Sequence, residues 1–269
     1  MARHAAGAMP HPDVAGAPVL KVNNVEKTYG SKGGATRALN GVSFAVERGE
    51  FTAIMGPSGS GKSTLLNCIA TIDRPTAGSI VVDGADTARL SARKLADFRR
   101  EKLGFIFQDA NLLDTLTGRE NIALPLSIGR VPVDALQGRV EETARALGVT
   151  DVLDRYPYQM SGGQRQRVAA ARAIVTRPAL VLADEPTGAL DSKNTKILLE
   201  SLESLNRDLG STILMVTHDE AAASYCQRVL FIRDGRLFTQ VRRGDASRRE
   251  FFDQIISVVA TIGGADDAC

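Results

Sequence analysis

The 269-residue chain has little cysteine, little imbalance of charge and no long apolar run, and each shortage excludes something. Its three cysteines, Cys68, Cys226 and Cys269, are odd in number, widely spaced and free of any CxxC pair. That argues against a disulfide framework or a zinc site and for buried or incidental thiols in a reducing cytoplasm. A count of 33 basic against 31 acidic residues leaves a net charge of +2 with the histidines neutral. Such a balance is too even for nucleic acid to be the default partner. No stretch reaches the roughly 18 uninterrupted apolar residues of a membrane-spanning helix, so the chain is not expected to cross a bilayer by itself. Residues 1–18 carry hardly any large apolar side chains and lack the hydrophobic region of a secretory signal. They read as a disordered tail, with His4 and His11 solvated in it rather than ligating a metal.

The remaining length suits one large domain or two small ones and can bury a sizeable core. From Val19 onward, short apolar runs alternate with amphipathic stretches, as in an α/β protein. Strands are predicted at 20–25, 42–46, 51–55, 80–83, 105–108, 180–184, 213–217 and 228–233. The last is expected to pair with 236–241 across the turn signal Asp234-Gly235. Between Gln108 and Arg177 strand signals give way to helical ones, which predicts a helical insertion, about 109–178, within a mostly parallel sheet. Thr117 and Glu120 form a capping box at the head of one helix. Residues 133–147 carry helical periodicity, and a further helix is predicted over 162–176. Ser247 and Glu250 form another capping box that opens a terminal helix in the segment 247–269. Phe251, Ile255, Val258 and Ile262 recur on one face of it, which predicts docking on a core or on a partner. The alternative, a helix lying on a membrane surface, is less well served by a polar face with few basic residues.

Directly after the strand at 51–55 comes Gly56-Pro57-Ser58-Gly59-Ser60-Gly61-Lys62-Ser63, followed by Thr64. This is the pattern GxxxxGK[ST]. Its glycines let successive backbone N–H groups turn toward phosphate oxygens without Cβ clashes. The helix opening near Lys62 adds the positive end of its dipole. Lys62 can reach the β- and γ-phosphates, and the Ser63 hydroxyl can ligate Mg2+. Four apolar residues, 180–183, then end in Asp184 and Glu185. A buried strand that delivers a carboxylate at its C-terminal end suits a Mg2+ ligand, which assigns Asp184 to the metal. Glu185, one residue on, is positioned to orient and deprotonate an attacking water. ATP and Mg2+ are therefore the expected ligands.

Met160-Ser161-Gly162-Gly163-Gln164, followed by Arg165-Gln166-Arg167 and an alanine-rich stretch, resembles the LSGGQ signature of the ATP-binding cassette family. The resemblance spans about 19–241. It implies an α/β fold: a P-loop hydrolase core with a mostly parallel sheet, an N-terminal antiparallel β portion and the inserted α-helical subdomain. All of this falls in a nucleotide-binding domain at 19–246. It also implies that Ser161, Gly162, Gly163 and Gln164, at a helix N-terminus, complete the nucleotide site of a second copy. Two ATP molecules are then sandwiched in a head-to-tail homodimer. The same resemblance makes Tyr29 the aromatic that stacks on adenine and Gln108 the Q-loop glutamine that contacts Mg2+ and water. Asp191, in the D-loop Gly188-Ala189-Leu190-Asp191, falls at the dimer junction, and His218 becomes the switch histidine near the γ-phosphate. Met160 replaces the usual leucine, an apolar exchange of similar volume. With Glu185 and the signature intact, two hydrolysis-competent sites per homodimer are expected.

The run 53–67 around the phosphate loop and the run 71–78, Thr71-Ile72-Asp73-Arg74-Pro75-Thr76-Ala77-Gly78, look like the group of macrolide exporters, lipoprotein-release ATPases and peptide-antibiotic resistance modules. The run 107–117 and the ending 251–264 most resemble the bacitracin-resistance type. That resemblance implies a separate transmembrane permease with a large extracellular domain, driven from the cytoplasmic face of the membrane, and a role in export of or resistance to peptide antibiotics. A mechanical ATPase of the cell-division or lipoprotein-release type is the alternative. A cassette used in DNA repair needs a long coiled coil between Gln108 and Ser161, where Pro125, Pro132 and Pro157 interrupt the pattern, so nucleic acid is not an expected partner. Arg242, Arg243, Arg248 and Arg249 read as a solvated surface cluster, with anionic headgroups as the other reading.

Overall fold

The computed structural model describes residues 16–30 and 34–264. The predicted tail, apart from residues 16–18, and Cys269 lie outside the described residues. The chain begins with β1 (Leu20–Tyr29), β2 (Thr36–Val46), β3 (Phe51–Met55), α1 (Lys62–Ile69), β4 (Ala77–Val82) and β5 (Ala85–Asp86). Then come α2 (Ala92–Lys102), β6 (Leu103–Ile106), α3 (Gly118–Ile128), α4 (Val133–Ala146), α5 (Gly162–Ile174) and β7 (Leu180–Asp184). The rest is α6 (Ser192–Leu209), β8 (Ile213–Val216), α7 (Glu220–Ala223), β9 (Arg228–Arg233), β10 (Arg236–Arg242) and α8 (Arg248–Gly264).

Two sheets result. One is antiparallel, in the order β2-β1-β4-β5; the other has the order β10-β9-β3-β8-β7-β6. In the second, β9, β3, β8, β7 and β6 run parallel and only β10 is antiparallel. Its inner strands are buried on both faces, which is why they read as nearly continuous apolar runs. Alternate residues enter two cores. Phe51, Ala53, Val181, Ala183, Ile213, Met215, Val229 and Phe231 pack with α3 to α6. Ile54, Leu180, Leu182, Leu214, Val216, Leu230 and Ile232 pack with α1 and the antiparallel sheet. Each such side chain contributes roughly 1.5–3 kcal/mol by leaving water. The same alternation fixes the register, because a one-residue slip would exchange the two faces.

Several boundaries differ from expectation. β1 and β2 extend well beyond 20–25 and 42–46, because register shifts between Val22 and Val25 interrupt the alternation that reveals a strand. β6 begins at the last turn of α2 and ends at Ile106, so the strand expected at 105–108 is displaced and Gln108 lies beyond it. α2 itself was not expected: only Leu95 and Phe98 are buried in a segment otherwise rich in arginine and lysine, and Arg99 turns inward to donate to the Thr71 carbonyl and hydroxyl at 3.1 Å. Pro125 sits inside α3 rather than ending it, whereas Pro132 caps α4. The terminal helix docks on this chain's own core through Phe251, Ile255 and Ile262, with Val258 and Val259 alongside. The Arg248 guanidinium lies 4.3 Å over the Tyr225 ring. Arg242 and Arg243 reach Glu50 and Glu203 at 3.5 Å, so part of the expected basic cluster is paired. Among the described residues, no helix is long and apolar enough to cross a membrane.

Candidate functional site

The phosphate loop leaves the C-terminal end of β3 and enters α1. Gly56 has φ 153° and Gly61 φ 101°. A Cβ on Gly56 would stand 2.0 Å from the Ile232 carbonyl oxygen, and one on Gly61 2.4 Å from that of Ala38. Only glycine fits either place, so the loop is clamped between β2 and the β9–β10 hairpin. Pro57, Ser58, Gly59 and Ser63 stay exposed, Thr64 is half-buried, and the Ser60 hydroxyl is buried without a partner. No side chain caps the first turn of α1, so its amides remain available to an anion. Lys62 Nζ donates to the carbonyls of Gly56 and Pro57 at 2.8 Å each. Burial pulls its pKa below the usual lysine value, against the charges of Glu185 and Asp184.

Asp184 ends β7 and Glu185 follows. Burial raises the Asp184 pKa, the neighbouring Glu185 charge adds to this, and Lys62 opposes it. Glu185 adopts φ 46°, a left-handed conformation that costs a non-glycine residue on the order of 1 kcal/mol or more. It is held there by its N–H, which donates to the Val216 carbonyl at 2.9 Å. Its carboxylate accepts from His218 Nδ1 at 3.0 Å, with the histidine 74% and the glutamate 20% exposed. That hydrogen bond raises the His218 pKa above its ordinary 6.5. Lys62, Asp184, Glu185 and His218 thus meet at the C-terminal ends of the adjacent strands β3, β7 and β8.

Gln108 is exposed, and its side chain lies against Gly188, where a Cβ would come within 3.0 Å of it. Ser161 caps α5: its hydroxyl accepts from the Gln164 N–H at 3.2 Å, and Gln164 Oε1 accepts from the Ser161 N–H at 2.9 Å. Gly162 is open, but a Cβ on Gly163 would stand 1.9 Å from Asn194 Oδ1. Asn194 in turn donates to both carboxylate oxygens of Asp191 at 2.8 Å. The signature turn and the D-loop are therefore in contact within one chain. Among the described residues, no hydrogen bond joins Ser161 through Gln164 to the phosphate loop of the same chain. Met160 is 4% exposed and packs in the core.

Tyr29, 42% exposed at the end of β1, is fixed by a residue that the sequence reading treated only as a family marker. Its hydroxyl donates to Asp73 Oδ2 at 2.8 Å, and Lys27 Nζ lies 4.8 Å from its ring centre while pairing with the same aspartate. The Lys27 hydrogen bond holds Asp73 below the usual carboxylate pKa. Gln166, quoted in sequence only as part of the signature's continuation, is buried between two backbone segments. The oxygen donors of Ser63, Asp184 and Gln108 suit a hard divalent cation. Among the described residues, no group of three or more His, Cys, Asp or Glu forms a metal cage.

A family profile described as ABC transporter matches residues 39–188. The chain is 49% identical to the "Bacitracin export ATP-binding protein BceA" of Halalkalibacterium halodurans over 249 residues, 93% of this chain and 98% of that one. It is 53% identical to the "ABC transporter ATP-binding protein YxdL" of Bacillus subtilis, covering 92% of this chain and 96% of that one. Among solved structures it resembles a dimeric post-hydrolysis state of the ATP-binding cassette MJ0796 bound to ADP and Pi. The TM-score is 0.75 at 40% identity, over 83% of this chain and 98% of that one. The chain belongs to the ATP-binding cassette transporter family, as one of its ATP-hydrolysing subunits.

Proposed function

We propose that two copies of this chain close on two ATP molecules, hydrolyse them, and so drive a separate transmembrane permease from the cytoplasmic face of the membrane. The role is export of, or resistance to, peptide antibiotics. The observation that carries the mechanism is the convergence of Lys62, Asp184, Glu185 and His218 on the ends of neighbouring strands. The near end-to-end likeness to a bacitracin export ATPase supports the cargo class.

In this reading the uncapped amides of α1 and the loop 56–63 bind the phosphates, and Lys62 exchanges its two carbonyl partners for phosphate oxygens. The Tyr29 ring, fixed by Asp73, receives the adenine. Ser63, Asp184 and Gln108 would hold Mg2+, which supplies charge neutralisation along the phosphates. Glu185 takes the proton of the attacking water. His218 holds that carboxylate through Nδ1 and faces the γ-phosphate with the rest of its ring. Ser161 and Asp191 act across the dimer on the partner's nucleotide. ATP that binds the closed pair better than the open one shifts the population toward closure.

The groove beside Gln108 is the contact proposed for a permease helix. It encloses about 240 Å³ between Asn111, Leu112, Asp114, Pro157 and Arg165. Tyr158 and Leu113 stand nearby, exposed by 72% and 47%. Complementation of a deletion strain tests the reading: the wild-type chain restores bacitracin resistance and copurifies in mild detergent with a multi-span protein bearing a large external domain, while Glu185→Gln does not restore resistance. Full resistance with Glu185→Gln would overturn it.

A further inference from the structure

We propose that Gln166 is a positioning residue that ties the signature helix to the catalytic groups of its own chain. Its side chain is 2% exposed in α5. The amide nitrogen donates to the Phe107 carbonyl at 2.6 Å and to the Pro186 carbonyl at 3.0 Å. Because both partners are carbonyl oxygens, only the NH2 side of the amide can face them, which fixes its orientation. Phe107 immediately precedes Gln108, and Pro186 immediately follows Glu185. One amide therefore clamps the two backbone segments that present these side chains as the chain leaves β6 and β7.

The clamp sits near the N-terminus of α5, five residues after Ser161. The same end of the helix is wedged against α6, since Gly163 leaves no room for a Cβ beside Asn194 and Asn194 holds Asp191. A shift of α5 when Ser161 meets the partner's nucleotide is thus passed, through one pair of hydrogen bonds, to the backbone on either side of the catalytic centre. The inference rests on the reading of Glu185 as general base and Gln108 as a water contact; it adds that their alignment depends on the signature helix being engaged.

Gln166→Glu tests this in the full-length protein with Mg-ATP. The carboxylate has the shape of the amide, but when ionised it offers no donor to the two carbonyls, and when protonated it offers one. Burial raises its pKa, the carboxylates of Asp109 and Asp114 that line the adjoining cavity add to this, and Arg165, which lines it too, opposes it. The expected result at pH 8 is a kcat lowered about 10- to 100-fold, with ATP affinity, read by a fluorescent ATP analogue, within about threefold of wild type. Part of the lost kcat returns as the pH falls toward 6, a gain that the wild type does not show. Gln166→Leu shows the same split at pH 8 and no return, and it serves as the test if the glutamate variant does not fold. Wild-type kcat in both variants overturns the proposal, as does a parallel loss of kcat and affinity without recovery in acid. Glu185→Gln, assayed alongside, separates the two ideas: wild-type turnover there removes the general-base reading, whereas a dead Glu185→Gln beside fully active Gln166 variants removes only the clamp.

Discussion

Two turns rich in glycine and serine open helices in this chain, and they are built in opposite ways. The turn before α1 is pressed against the backbone of its own chain and depends on glycines at positive φ. It leaves the first amides of its helix uncapped. The turn before α5 needs no left-handed glycine, and Ser161 and Gln164 cap each other across its exposed surface. The first is a complete cradle for an anion. The second engages its hydroxyl with its own helix and faces outward, which suits the proposed role as half of a site shared with a second copy. Under the proposed mechanism binding and closure should therefore separate, with one chain sufficient to hold ATP and two needed to enclose it.

The largest expected effect tests the chemistry while leaving both turns intact. Glu185→Gln should retain ATP binding and lower kcat by roughly 10²–10⁴-fold, the size of a general-base contribution; steady-state phosphate release with a parallel binding titration measures both. Next comes the complete cradle. Lys62→Ala removes the charged group proposed to donate to two phosphates, each such bond contributing about 1.5–3 kcal/mol, and should weaken ATP binding to the single chain by about 10²-fold or more in isothermal titration. A change of less than threefold would mean that the amides alone carry the binding.

The smallest effect concerns His218, whose pKa is raised by the bond to Glu185. That bond stabilises the fold in full below the ordinary histidine value near 6.5 and loses its contribution as the pH rises through the elevated folded value. At 74% exposure the contribution is modest. In Glu185→Gln the His218 imidazole midpoint, followed by NMR, should move down. An unchanged midpoint would mean that the two side chains do not share a proton in solution.

Much of the cradle was legible in the sequence because it is local: glycine spacing, a preceding apolar strand and a following helix are consecutive. The strands 180–184 and 228–233 could be read to the residue because apolar burial on both faces leaves an unbroken run. What escaped was non-local or irregular. β1 hides behind bulges, and α2 shows only two buried side chains. Asp73 and Gln166 act through residues 44 and 59 positions away, and no periodicity within either neighbourhood signals such a partner. The left-handed backbone at Glu185 is also set by tertiary contact, through the Val216 carbonyl of the next strand, rather than by local sequence.

The most direct test of the outward-facing half-site is light scattering of Glu185→Gln with Mg-ATP, beside the double variant that also carries Ser161→Ala. Removing the cap costs about 0.5–2 kcal/mol, too little to unfold the chain, and a melting curve checks this. The account predicts a molar mass twice that of the chain for Glu185→Gln, and a single-chain mass for the double variant although it still binds ATP. A double variant that dimerises as readily as Glu185→Gln would contradict it.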